Sequence, residues 1–151
     1  MSEKSIQAAE TFKSGFNCSQ SVLSVFADEF GLSKDSCLRL SSPFGSGIAR
    51  MQETCGAVTG ALMAIGLKFG KGEHGLESDK AYAYELSQEL ISKFKDKNKS
   101  ICCRDLLDGL DINTPEGIAE IQKRDLFKCN CSKYVQEAVL ITEAILSERT
   151  K

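Results

Sequence analysis

Apolar residues recur at helical intervals along nearly the whole chain. Residues 3–13 place Ile6, Ala9 and Phe12 on one stripe. Residues 18–30 align Val22, Val25, Phe26 and Phe30 ahead of Gly31, a helix stop. Ser33 caps a short helix over 34–41, and SSPFGSG at 41–47 is a loop broken by Pro43, Gly45 and Gly47. A strongly apolar block then runs from about Met51 to Phe69 and stops at Gly70. Within it, TCGAVTGALMAIGL (54–67) carries no charge. After the linker GKGEHG, a long amphipathic helix over about 76–95 turns Tyr82, Leu86, Leu90 and Phe94 inward. Ser100 caps a short helix through Leu107 that Gly109 closes. Thr114 and Pro115 form an N-cap and first-turn pair for a helix to about Phe127. The last helix, about 131–147, aligns Val135, Ala138, Val139, Thr142, Ile145 and Leu146. No stretch alternates as a strand would, and no internal repeat or low-complexity tract is present. The pattern predicts an all-α fold: a compact single domain over 1–151, with about six to eight helices bundled around a buried central helix at about 51–69.

Charge and length then narrow the function classes. A chain of 151 residues buries a core without disulfide staples. Nineteen basic against 21 acidic side chains leave a net charge of −2, which gives nucleic acid nothing to recognise. The central block is shorter than the roughly 20 apolar residues of a bilayer crossing, and Arg50, Glu53 and Lys68 crowd it. It reads as a buried helix, with no membrane span. The opening residues MSEKSIQAAETFKSG lack an apolar export segment, so a cytoplasmic location is expected.

In that reducing compartment the seven cysteines (18, 37, 55, 102, 103, 129 and 131) point to thiol redox or metal ligation, with some as core residues. Cys55 lies in the first turns of the central helix, where free N–H groups and the dipole favour a thiolate; Arg50, just upstream, adds positive charge. Gly56 and Gly60 share a face, which suits either a packing notch or a nearby cofactor, and equally a subunit interface in a homodimer. Asn17-Cys18-Ser19 and Asn130-Cys131-Ser132 each open an amphipathic helix, with Asn as cap and Cys as first helical residue. Cys103, three after Ser100, is placed similarly. Cys37 reads as a small core residue, and Cys102 and Cys129 as reserve thiols or bystanders. The one histidine, His74, falls in the glycine-rich linker, so no His–Cys or Ser–His–Asp set is on offer.

This ordered set resembles the CGAxxG-motif family of redox-active proteins (C_GCAxxG_C_C). Cys18 stands as its first cysteine, Cys55 to Gly60 reads CGAVTG, Cys103 stands in CCRDLL, and Cys131 begins the last helix. The resemblance spans most of the chain. It implies redox activity at those four cysteines, association with oxidoreductase or transporter systems, and, for exported members, a bound prosthetic group such as an iron–sulfur cluster. Three additional cysteines and the missing export signal depart from that pattern, and the neighbours Cys102 and Cys129 leave two of the assignments open to a shift. Two chemistries fit: dithiol–disulfide exchange with an unidentified redox partner protein, as a thiol-dependent oxidoreductase, or ligation of an iron–sulfur cluster or other metal by Cys18, Cys55, Cys103 and Cys131. Exchange ranks first, because the C-x-x-C spacing common in metal sites is absent. A non-catalytic helical interaction domain is the third reading.

Overall fold

Side-chain caps set where several helices begin. In the computed structural model, which describes residues 1–150, the Ser2 hydroxyl caps α1 (Glu3–Lys13). Asn17 caps α2 (Cys18–Ser24): its Oδ1 accepts from the Gln20 N–H at 2.9 Å, and its own N–H donates to Gln20 Oε1 at 3.0 Å. That reciprocal box satisfies two end groups at once. Ser33 caps α3 (Lys34–Ser41), and Thr114 caps α7 (Pro115–Lys123) with Pro115 in its first turn. Between them lie α4 (Gly56–Phe69), α5 (Glu77–Asn98) and α6 (Cys103–Leu106); α8 (Ser132–Glu148) closes the chain. No strand occurs among the described residues, and no described helix is long and apolar enough to cross a membrane.

The predicted all-α bundle is the observed fold, with several boundaries moved. The stripe at 18–30 is not one helix: α2 ends at Ser24, and a 3₁₀ turn (Asp28–Phe30) leads to Gly31 at φ 68°. The helix after Thr114 ends at Lys123, short of Phe127, and a π-helical turn (Phe127–Cys131) runs straight into α8. Asn130 therefore caps nothing: Cys131 has φ −65° and ψ −37°, inside a continuous right-handed helical run.

The central helix packs against α2, α5 and α8, while α1 lies along α8. Its Ala57, Val58, Ala61, Ala64, Ile65 and Phe69 are fully buried. At about 1.5–3 kcal/mol for each large apolar side chain, this core carries most of the folding free energy. The closest approach is at the glycines. A Cβ on Gly60 would sit 2.7 Å from the Ser19 carbonyl oxygen, and one on Gly56 would sit 2.9 Å from the Ser19 nitrogen and 3.1 Å from Cys18 Cβ. The Gly56/Gly60 face is a seat for the start of α2.

The largest departure from expectation is the start of α4. The apolar block predicts a helix from about Met51, but the helix begins at Gly56 with Cys55 as its N-cap. The preceding residues form a left-handed turn: Ser46, Gly47, Ile48, Ala49 and Arg50 have φ of 53°, 69°, 66°, 51° and 64°, and Gln52 follows at 55°. Each non-glycine residue there costs about 1–2 kcal/mol. The turn is held by backbone bonds, Ala49 N–H to Pro43 O and Glu53 N–H to Gly47 O, both 2.8 Å. It is also tied across the molecule: the Arg50 guanidinium donates to Ile112 O at 3.2 Å, and Asn113 Nδ2 donates to Arg50 O at 2.9 Å.

Two stability changes follow. Gly60→Ala should destabilise by about 1–3 kcal/mol in denaturant titration, because the added methyl meets backbone rather than a flexible side chain. A neutral or stabilising result would mean that α2 is not seated there. Ala49→Gly should stabilise by about 1 kcal/mol, since it relieves a left-handed residue on an exposed turn. A loss of stability would contradict the left-handed geometry.

Candidate active site

Four separate segments bring Cys18, Cys55, Cys103 and Cys131 to one cavity of about 140 Å³, with Phe12, Leu107, Ile112, Phe127 and Tyr134 among its walls. Cys18 is the first residue of α2 and arrives because Gly56 lets that helix close on α4. Cys55 arrives as the α4 cap, and Cys131 at the junction of the π turn with α8. Such turns replace the regular helical spacing and re-aim a side chain.

Cys103 is placed by backbone pairing. Thr54 and Cys102 form an isolated antiparallel bridge, flanked by Cys55 N–H to Ile101 O at 2.7 Å and Cys103 N–H to Glu53 O at 2.6 Å. Side chains alternate across such a pairing, so Cys55 and Cys103 share one face while Thr54 and Cys102 share the other. Cys103 lines the cavity; Cys102 instead donates its thiol to Gln52 O at 3.3 Å. Gly47 makes room for this, because a Cβ there would lie 2.6 Å from Cys103 Cβ. Cys129 is exposed, with its thiol 3.7 Å from Asp125 Oδ2, and Cys37 is buried in the core. All seven cysteines are free thiols.

The sulfurs differ sharply in acidity. Cys55 is held below the ordinary thiol range, first because the Cys18 thiol donates to it, and also because the Ala57 and Val58 amides at the start of α4 favour its thiolate; burial opposes both. Cys18 is pushed the other way. It shares its proton with Cys131 and with Cys55, and burial adds to the rise. Cys103 is pushed up to about 12, chiefly by burial and then by the neighbouring Cys55 and Cys131 sulfurs. The helix terminus thus adds to what the Cys18 hydrogen bond does for Cys55, and it does not make a thiolate of Cys18, because one pocket cannot hold several adjacent anions.

The other expected site residues sit as follows. Gly56 lines the cavity, whereas Gly60 faces Ser19 and Val22 of α2 and does not. Arg50 is exposed, outside the cavity wall, and its guanidinium is spent on Ile112 O. With the helix starting at Gly56, Arg50 no longer stands one turn before Cys55. Its work is to pin the left-handed turn.

Two residues escaped the sequence reading. Gln52 is 5% exposed; its Nε2 donates to Leu110 O at 2.9 Å and its Oε1 accepts from Ile112 N–H at 3.0 Å, which ties the turn to the loop that walls the cavity. Tyr134 donates its hydroxyl to Leu106 O at 2.9 Å. Burial and then the Cys131 and Cys55 sulfurs raise its pKa, so it stays a neutral phenol. Its spacing of three from Cys131 on one helix was the available signal.

As for metal, no group of three or more His, Cys, Asp or Glu among the described residues is placed to hold an ion. The four cavity sulfurs are thus not arranged as joint ligands of a single ion.

These acidities set an order of reaction. The pH profile of iodoacetamide alkylation, followed by peptide mass, should show Cys55 turning on at a lower pH than a free thiol, with Cys18 and Cys103 turning on well above it. If Cys55 shares the midpoint of an unfolded control, the proton-sharing account is wrong.

The family described as "Putative redox-active protein (C_GCAxxG_C_C)" matches residues 16–145, a span that takes in all four cavity cysteines. Comparisons with curated proteins and with solved structures return no match. On the extent of that match, the chain belongs to the C_GCAxxG_C_C family.

Proposed function

We propose that the protein is a thiol-dependent oxidoreductase that reduces a disulfide with Cys55 as nucleophile and Cys18 as resolving thiol, or runs the same exchange in reverse. The observation that carries this reading is that Cys18 and Cys55 line one cavity, with the thiolate favoured at Cys55 and disfavoured at Cys18. Cys55 attacks one sulfur of R–S–S–R, forming Cys55–S–S–R and releasing RS⁻. That thiolate takes the Cys18 proton and leaves as RSH. Cys18 then attacks Cys55 Sγ, forming the Cys18–Cys55 disulfide and expelling the second RS⁻. Two electrons pass to the substrate, and a dithiol reductant restores the protein.

The first step prepares the second. Once Cys55 is in a mixed disulfide its negative charge is gone, and with it part of what held the proton on Cys18. Cys131, the other acceptor of the Cys18 hydrogen bond, orients that sulfur. Gly56 admits Cys18 to the site, and Cys103 remains a protonated wall. Seven free thiols suit a reducing compartment such as the cytoplasm. Ligation of a metal or iron–sulfur cluster by the same four cysteines is the rival reading; the absence, among the described residues, of three ligands grouped around one ion counts against the single-ion form of it.

The test is anaerobic purification, a visible spectrum, metal analysis, and a thiol count before and after mild oxidation. We expect a colourless protein that reversibly loses two thiols, mapped by mass to Cys18 and Cys55, and a Cys55→Ser variant that loses none at that site. A brown protein with stoichiometric iron would overturn the proposal, as would thiols inert to oxidation.

A further inference from the structure

The substrate class can be read from what the cavity lacks. Its wall comprises aromatic and aliphatic side chains, the four cysteines, and the uncharged Asn17, Ser46 and Tyr134; no Lys, Arg, His, Asp or Glu belongs to it. The attacking sulfur belongs to a residue only 5% exposed, so a reacting disulfide must enter the cavity rather than meet it at the surface. The space, about 140 Å³, is below the roughly 300 Å³ at which ordinary small-molecule pockets begin. We infer that the disulfide or dithiol exchanged here is small and uncharged at its reactive end, an alkyl disulfide or cyclic dithiolane, and not a charged peptide disulfide. This inference rests on the exchange reading above.

Two costs produce the selectivity. A carboxylate brought beside Cys55 gives up its water and finds no counter-charge. An ammonium gives up its water against a single opposing charge, the Cys55 sulfur that the reaction itself consumes. Each thus meets a penalty larger than the gain from one thiol contact. An anion meets a second penalty, because the Cys55 thiolate is itself negative. An uncharged alkyl disulfide pays neither, and its carbon atoms gain burial against Phe12, Leu107, Ile112 and Phe127. A folded peptide brings bulk that the cavity does not hold.

The inference is tested with three disulfides of similar size: bis(2-hydroxyethyl) disulfide, which is uncharged, cystamine, a dication, and dithiodiglycolate, a dianion. The rate of mixed-disulfide formation at Cys55 is followed by mass, and each rate is divided by that of free cysteine at the same pH to remove intrinsic reactivity. The uncharged reagent should lead each charged one by about tenfold or more, the equivalent of one unpaired polar group left in the wall. A charged reagent that equals or exceeds it after this correction overturns the inference while leaving exchange at Cys55 intact. If none of the three forms a mixed disulfide at Cys55, the exchange reading fails, and this inference with it.

A charge placed in the wall gives a second, independent readout. Ser46→Asp puts a carboxylate on the cavity at a left-handed position that Asp tolerates better than most residues. It should shift the rate ratio of cystamine over dithiodiglycolate upward by about tenfold, with Ser46→Asn unchanged as the neutral control. Equal ratios in both variants would mean that the reagents react outside the cavity.

Discussion

The close approach of α2 to α4 is the contact on which the site depends. Without side chains at Gly56 and Gly60, the Ser19 backbone settles onto the central helix, and Cys18 comes down beside Cys55. Each glycine forgoes about 1 kcal/mol of helix propensity. The return is a separation that no other residue type permits, since even alanine would meet backbone at under 3 Å. The same seat serves stability and chemistry, so packing and reactivity cannot be altered independently there.

Once the sulfurs are gathered, electrostatics decides which of them is reactive. Four thiols in a buried pocket cannot all ionise, because each anion raises the cost of the next. The hydrogen bond from Cys18 tips the balance toward Cys55, and the amides at the start of α4 add to it. Burial then holds Cys103 protonated. A helix N-terminus alone did not make a nucleophile of Cys18, which stands at the start of a helix but lies between two sulfur acceptors.

The left-handed turn at 46–50 is strain held beside the cavity, since Ser46 and Gly47 both line it. The turn reverses the chain so that residues 52–55 can pair with 101–104, and that pairing fixes Cys55 and Cys103 on one face. Gln52 at 5% exposure and Arg50 on Ile112 O bind the turn to the opposite loop. Several kcal/mol of unfavourable backbone are thus offset by hydrogen bonds and burial around it.

The sequence by itself determined the helical class, the Asn17, Ser33 and Thr114 caps and the buried central helix, because periodicity and capping are local properties written within a few residues; its cysteines it offered only as candidates. Tertiary structure alone decided what those cysteines became. Cys103 rather than Cys102 faces the cavity because of a bridge to residues far away in the chain, and Cys131 rather than Cys129 because of a π turn. Arg50 left the site because a left-handed turn, invisible to apolar periodicity, delayed the helix to Gly56. Acidity depends on which groups lie within a few ångströms, and only the folded chain sets those distances.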